Sequence, residues 1–171
     1  GPNAAAFAAI MREIVEELGF ACVDGKIMVV DDAARSLVVA DKANWLPQVK
    51  QGNIPCDTSG IRHISSRTTP PFGPVLFENT FLHIHGGSSQ EVPQPSIVGQ
   101  TEFVEFTWQS AEQLLAKWKT HEMKIAPPVV TLMMQLKRTL AQFGGDMESS
   151  AEEMEKRQIG RRSILFAYGV E

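Results

Sequence analysis

Cysteine is scarce: the 171-residue chain has two, Cys22 and Cys56, at no metal-binding spacing. That excludes a disulfide framework and a cysteine-rich zinc module. It fits reduced thiols in a cytosol-like compartment, although two cysteines can also pair. No apolar run reaches the roughly 20 residues of a membrane-spanning helix, and no secretory leader pattern is visible. Positive charge is not in excess: 16 Lys and Arg stand against 20 Asp and Glu, a net charge of −4. This argues against a nucleic-acid groove. No segment repeats. Gly86-Gly87-Ser88-Ser89 lacks the lysine and the helix start of a phosphate-cradling loop. With 43% hydrophobic and 21% charged residues, the chain has the composition of an ordinary globular domain. Its length suits one domain with a real core.

What is present is an acidic cluster in an ordered setting. Residues 12 to 20 read Arg-Glu-Ile-Val-Glu-Glu-Leu-Gly-Phe. On a helix at 100° per residue, Glu13, Glu16 and Glu17 share one face. Like charges so placed repel and weaken a helix by a few tenths of a kcal/mol per pair. A hard cation between them removes that cost, and Mg²⁺ and Mn²⁺ favour oxygen ligands and phosphates. Phe7, Ile10 or Met11, Ile14 and Leu18 form the apolar stripe opposite. Gly19 follows the last periodic residue, where a left-handed cap is wanted. The plain alternative is a surface helix whose acidic face is solvated and partly paired with Arg12.

The rest of the chain alternates strands and helices. Asn3 is positioned to cap the acidic helix, which is expected to run to about Leu18. Asp24-Gly25 turns a short apolar segment, residues 21–30. Asp31 or Asp32 caps a helix with Ala33, Ala34, Leu37 and Val38 inside; Asn44 caps another, which Gly52 stops. Residues 61–68, 75–85 and 101–108 read as strands. A turn at residues 69–74 and a polar loop at 86–99 separate them. Ser110 and Gln113 form a capping box for a helix through Trp118. Pro127-Pro128 opens a long helix containing Val130. Residues 144–161 are charged and expected to be mobile, and Ile164 to Tyr168 to form a terminal strand. His83 and His85, two apart, read as ordinary sheet-face histidines. Trp45, Trp108 and Trp118 read as core.

Residues 12–20 fit R-E-U-x-E-E-x-G-U, with U a bulky apolar residue, at seven constrained positions out of nine. This resembles the second half of the box of Nudix hydrolases, which cleave a nucleoside diphosphate linked to another group. Further along, Trp108-Gln109-Ser110, a helix, and Glu122-Met123-Lys124-Ile125-Ala126-Pro127-Pro128 resemble a late stretch of the peroxisomal coenzyme A diphosphatase branch of that superfamily. Thr69-Pro70 and Phe77-Glu78-Asn79-Thr80-Phe81 fall where that branch has a Thr-Pro and an R-F-D-T-x-F-F run, with Leu76 in place of its Arg. The likeness spans roughly residues 5 to 140. The Gly-bearing first half of the box is absent, and Ala4 stands where a short-spaced box has a Glu. The resemblance therefore implies an incomplete domain that hydrolyses diphosphates poorly by itself.

The resulting expectation is an α/β fold, a Nudix-like α/β/α sandwich with a mixed sheet, over residues 1–143, followed by a charged mobile segment over 144–171. The implied reaction is metal-dependent cleavage of a diphosphate in a small nucleoside diphosphate derivative, coenzyme A or an acyl-coenzyme A among them. Glu13, Glu16 and Glu17 would hold Mg²⁺ or Mn²⁺, with Glu16 and Glu17 catalytic. Arg12 and Gly19 would be structural. The resemblance places a further catalytic carboxylate at Glu102, a metal ligand or general base, with Glu105 competing for the part. No nucleic acid or membrane partner is expected, a homodimer is, and the location is intracellular, in cytoplasm, peroxisome or mitochondrion. The rivals are a non-catalytic Nudix-like binding or scaffold domain and a helical interaction module.

Overall fold

A computed structural model describes residues 4–68, 78–86, 94–95 and 106–167, with side chains to residue 158. Asn3, the 69–74 turn, Leu76, Phe77, most of the 86–99 loop, Glu102, Glu105 and Tyr168 lie outside the described residues. Helices and small antiparallel sheets together make an α/β chain. The residues fall into two compact units, 1–61 with 84–106 and 62–83 with 107–171.

The first unit opens with helix α1, Ala4–Glu13, which runs straight into a π-helical turn, Ile14–Leu18. A regular α-helix to Leu18 was the expectation, so the box segment departs from it in its last turn. Gly19 ends the turn in the left-handed region (φ 68°), as expected of a C-terminal glycine. The buried side of this segment is centred on Met11 and Val15, with Ala8 packed beside them. Ile10, by contrast, is exposed. Of the two expected alternatives the fold buries Met11, and at the next position it buries Val15 rather than Ile14, because apolar residues at both 14 and 15 fit the same period.

Strands β1, Phe20–Val23, and β2, Lys26–Val29, pair as an antiparallel hairpin with Phe20 opposite Val29. Asp24 (φ 50°) and Gly25 (φ 73°) both adopt positive φ, as a two-residue hairpin turn requires. Helix α2, Asp32–Ala40, is capped by Asp31, whose carboxylate accepts from the Ala34 N–H at 2.7 Å. It buries Ala34, Arg35 and Val38 rather than Ala33 and Leu37. Helix α3, Trp45–Lys50, places Pro47 in its first turn. Trp45 and Ile54 complete a core with Met11, Val15, Ala21, Cys22, Val30, Ala34 and Val38.

The second unit pairs β3, Arg62–Thr68, with β4, Glu78–His83, antiparallel, with an irregularity between His63 and Ser65. Helix α4, Ala111–Lys119, carries the expected capping box: Ser110 Oγ accepts from Gln113 N–H at 3.1 Å, and Gln113 Oε1 accepts from Ser110 N–H at 2.9 Å. Helix α5, Pro127–Gln142, starts at the two prolines and buries Val130, Leu132 and Thr139. Of the strand expected over 101–108, residues 101–105 lie outside the described residues and 106–108 are not strand, and Trp108 is exposed rather than core. The largest correction is helix α6, Met147–Ala167, where a mobile segment and a terminal strand were expected. Its Glu152–Lys156 and Glu153–Arg157 pairs are four apart, and Ala151 and Met154 are buried. Charge at helical spacing supports the helix, and its small apolar stripe supplies the packing. No helix of the described residues is long and apolar enough to cross a membrane.

Candidate functional site

The π-turn sets the geometry of the acidic face. The Gly19 N–H reaches back to the carbonyls of both Ile14 and Val15, so the last turn is one residue wider than an α-turn. Such insertions are rare and recur at functional sites. Across this junction Glu13, Glu16 and Glu17 each offer one carboxylate oxygen within 4.8 Å of the others. Sequence spacing alone predicted this convergence. Burial deepens along the turn, from exposed Glu13 through half-buried Glu16 to Glu17, which is 8% exposed.

Cations from three elements hold the cluster. Arg12 bridges two of its members: Nη1 donates to Glu16 Oε2 at 2.8 Å, and Nη2 donates to Glu13 Oε1. Lys42, in the turn after α2, donates Nζ to the other Glu16 oxygen, Oε1. That hydrogen bond holds the exposed Lys42 ammonium above the usual lysine range. Arg35 works on the backbone. Its Nε donates to the Glu16 carbonyl at 2.9 Å and its Nη2 to the Glu17 carbonyl at 3.4 Å. Those carbonyls belong to the last turn, where a helix lacks internal partners and a cation is favoured.

Sequence reasoning found Arg12 and missed Lys42 and Arg35. Lys42 meets Glu16 across 26 residues, which no local pattern encodes. Arg35 left a faint signal: it sits between Ala34 and Val38 on the side of α2 that is buried. Glu102 and its competitor Glu105 fall outside the described residues.

A separate cavity of about 300 Å³ opens beside Phe7, Met11, Trp45, Leu46, Val49 and Cys56. Its α1 residues lie on the helix face away from the carboxylates, by the same helical spacing. Cys22 and Cys56 are both free thiols, not a disulfide. Burial, with Cys22 and Asp57 nearby, pushes the Cys56 thiol up to about 11. Asp57 itself is the opposite case. Burial opposes its ionisation, but hydrogen bonds from the Ser59 hydroxyl and the Asp24 and Ser59 N–H groups outweigh that and hold its carboxyl below the usual range.

No protein-family profile and no curated protein matches the chain. A solved structure does: a NUDIX hydrolase from Alicyclobacillus acidocaldarius matches with a TM-score of 0.60 at 20% sequence identity, over 79% of this chain and 62% of that one. The likeness shows a Nudix-like α/β fold. The chain spans less than two thirds of that protein's length.

Proposed function

We propose that the chain is a Nudix-type hydrolase that uses Mg²⁺ or Mn²⁺ to cleave a diphosphate linkage in a small nucleoside diphosphate derivative, with coenzyme A or an acyl-coenzyme A as the first substrates to try. One observation carries the reading. The carboxylates of Glu13, Glu16 and Glu17 converge within 4.8 Å on the segment that resembles the box, in a chain with this fold.

The donor set fits the ion. It is all oxygen, with no imidazole or thiolate, which suits hard cations. A divalent cation held there supplies positive charge to a diphosphate and acidifies a bound water. Glu13, Glu16 and Glu17 hold it. Arg12 fixes Glu13 and Glu16 by pairing with both rather than by touching substrate, and Arg35 and Gly19 fix the turn that carries them. On the resemblance, Glu102, with Glu105 as its competitor, is assigned the part of a further metal ligand or general base.

Product release from coenzyme A, its esters and ADP-ribose, with and without Mg²⁺ or Mn²⁺, tests the reading. Slow but metal-dependent release is expected, and Glu17→Gln should lower it by about 10³, the equivalent of roughly 4 kcal/mol. Equal turnover by the variant contradicts the assignment. Binding of these compounds without turnover is the result expected of the rival, a non-catalytic Nudix-like binding or scaffold domain. Ala4, exposed at the position of a box Glu, favours that rival.

A further inference from the structure

Both oxygens of Glu16 are engaged by cations, and the two cations differ in kind. Arg12 lies one helical turn away, is 22% exposed, and bridges Glu13 and Glu16 from separate nitrogens. It is anchored at both ends of its guanidinium. Lys42 comes from outside the helix, is 54% exposed, and reaches Glu16 through Nζ. A lysine ammonium is a point charge on a flexible four-carbon stem, and an exposed ion pair of this type contributes little. Of the two partners, Lys42 is the one that can leave cheaply. Once it leaves, its charge stays tethered beside the carboxylates, within reach of whatever they hold.

We propose that Lys42 is the resident counter-ion of Glu16, yields that oxygen when the carboxylates hold a divalent cation, and then presents its ammonium to the phosphate oxygens of a bound diphosphate. The inference rests on the metal-dependent reading above. It adds to that reading a phosphate-binding residue on a different element from the box. The ligand chemistry is a metal-bound diphosphate, because an ammonium beside three carboxylates is attracted to an anion only when the metal has offset their charge.

The two roles have opposite signs, which makes them separable. In Lys42→Met the competitor for Glu16 is gone, so Mn²⁺ should bind more tightly, by up to about five-fold, the upper end of what an exposed ion pair contributes. At saturating Mn²⁺ the same variant should bind α,β-methylene-ADP, an uncleavable diphosphate, several-fold more weakly. Lys42→Arg should keep most of the affinity for the analogue. Lys50→Met, the same charge change on α3, sets the baseline for general electrostatics. Calorimetric titration of Mn²⁺ and then of the analogue reads all four proteins without any turnover. Tighter Mn²⁺ with weaker analogue binding in Lys42→Met, beyond the Lys50→Met baseline, supports the proposal. If wild type binds Mn²⁺ and Lys42→Met binds it no more tightly, or binds the analogue equally well, the role of Lys42 is overturned and the metal site stands. If neither protein binds Mn²⁺, the metal reading itself is overturned and this inference with it.

Discussion

The Nε of Arg35, a buried side chain on α2, donates to the carbonyl oxygen of Glu16 at 2.9 Å. One charged side chain thus ties a second helix to the last turn of the acidic segment. The turn that carries the carboxylates is thus held through its backbone.

Removing that tie should be costly. Hydrogen bonds to a charged group contribute about 1.5–3 kcal/mol. Arg35→Met should therefore lower unfolding stability by about 2 kcal/mol, read from the urea midpoint at unchanged slope. Arg35→Lys should recover only part, since a single ammonium cannot reproduce two directed bonds. A loss under 0.5 kcal/mol in Arg35→Met would show that the helix end does not depend on it.

Two glycines offer a matched pair. Gly60 (φ +72°) approaches Gly25 so closely that an added Cβ would lie 2.4 Å from the Gly25 Cα, whereas Gly52 (φ +78°) has nothing within 4 Å of that position. Gly52→Ala should cost only the left-handed backbone term, about 1–2 kcal/mol. Gly60→Ala carries the same term plus a clash with backbone, and should be clearly worse by thermal unfolding. Equal losses would mean the two loops part without resistance.

Much of this was legible in the sequence. The Asp24-Gly25 hairpin turn, the Asp31 cap, the Ser110–Gln113 box and the two-proline start of α5 are local signals, and each appears where local chemistry puts it. The convergence of Glu13, Glu16 and Glu17 is also local, a matter of helical spacing. The π-turn was not legible, because Ile14 and Val15 are both apolar and fit the helical period with or without a one-residue widening. Lys42 and Arg35 were not, because tertiary packing of α2 brings them to the turn. Helix α6 was misread because its charges resemble a solvated tail until Ala151 and Met154 are seen to be buried.

The thiol at Cys56 should be quiet at neutral pH. With its pKa raised to about 11, roughly one molecule in a thousand is thiolate at pH 8. Cys56 lines an open cavity, so the limit on alkylation is ionisation rather than access. Iodoacetamide should label the native protein slowly at pH 8 and faster with each pH step toward 11. The sign for stability follows from the raised value. The thiol's contribution is fully present below its unfolded pKa of about 9 and is lost as pH rises toward 11. Cys56→Ser should flatten that alkaline decline. Rapid labelling at pH 7 would contradict the half-buried, protonated thiol.

The proposed function stands or falls on whether the carboxylates of Glu13, Glu16 and Glu17 form a divalent-cation site. Thermal unfolding with and without Mn²⁺, in wild type and in the double variant Glu16→Gln, Glu17→Gln, tests it most directly. A ligand at about 100 times its Kd adds about 2.7 kcal/mol to the folded state, roughly 5–10 °C in Tm for a chain of this size. A rise of that order is expected in the wild type, and little or none in the double variant. No rise in the wild type, or an equal rise in both proteins, would contradict it and leave the acidic face structural.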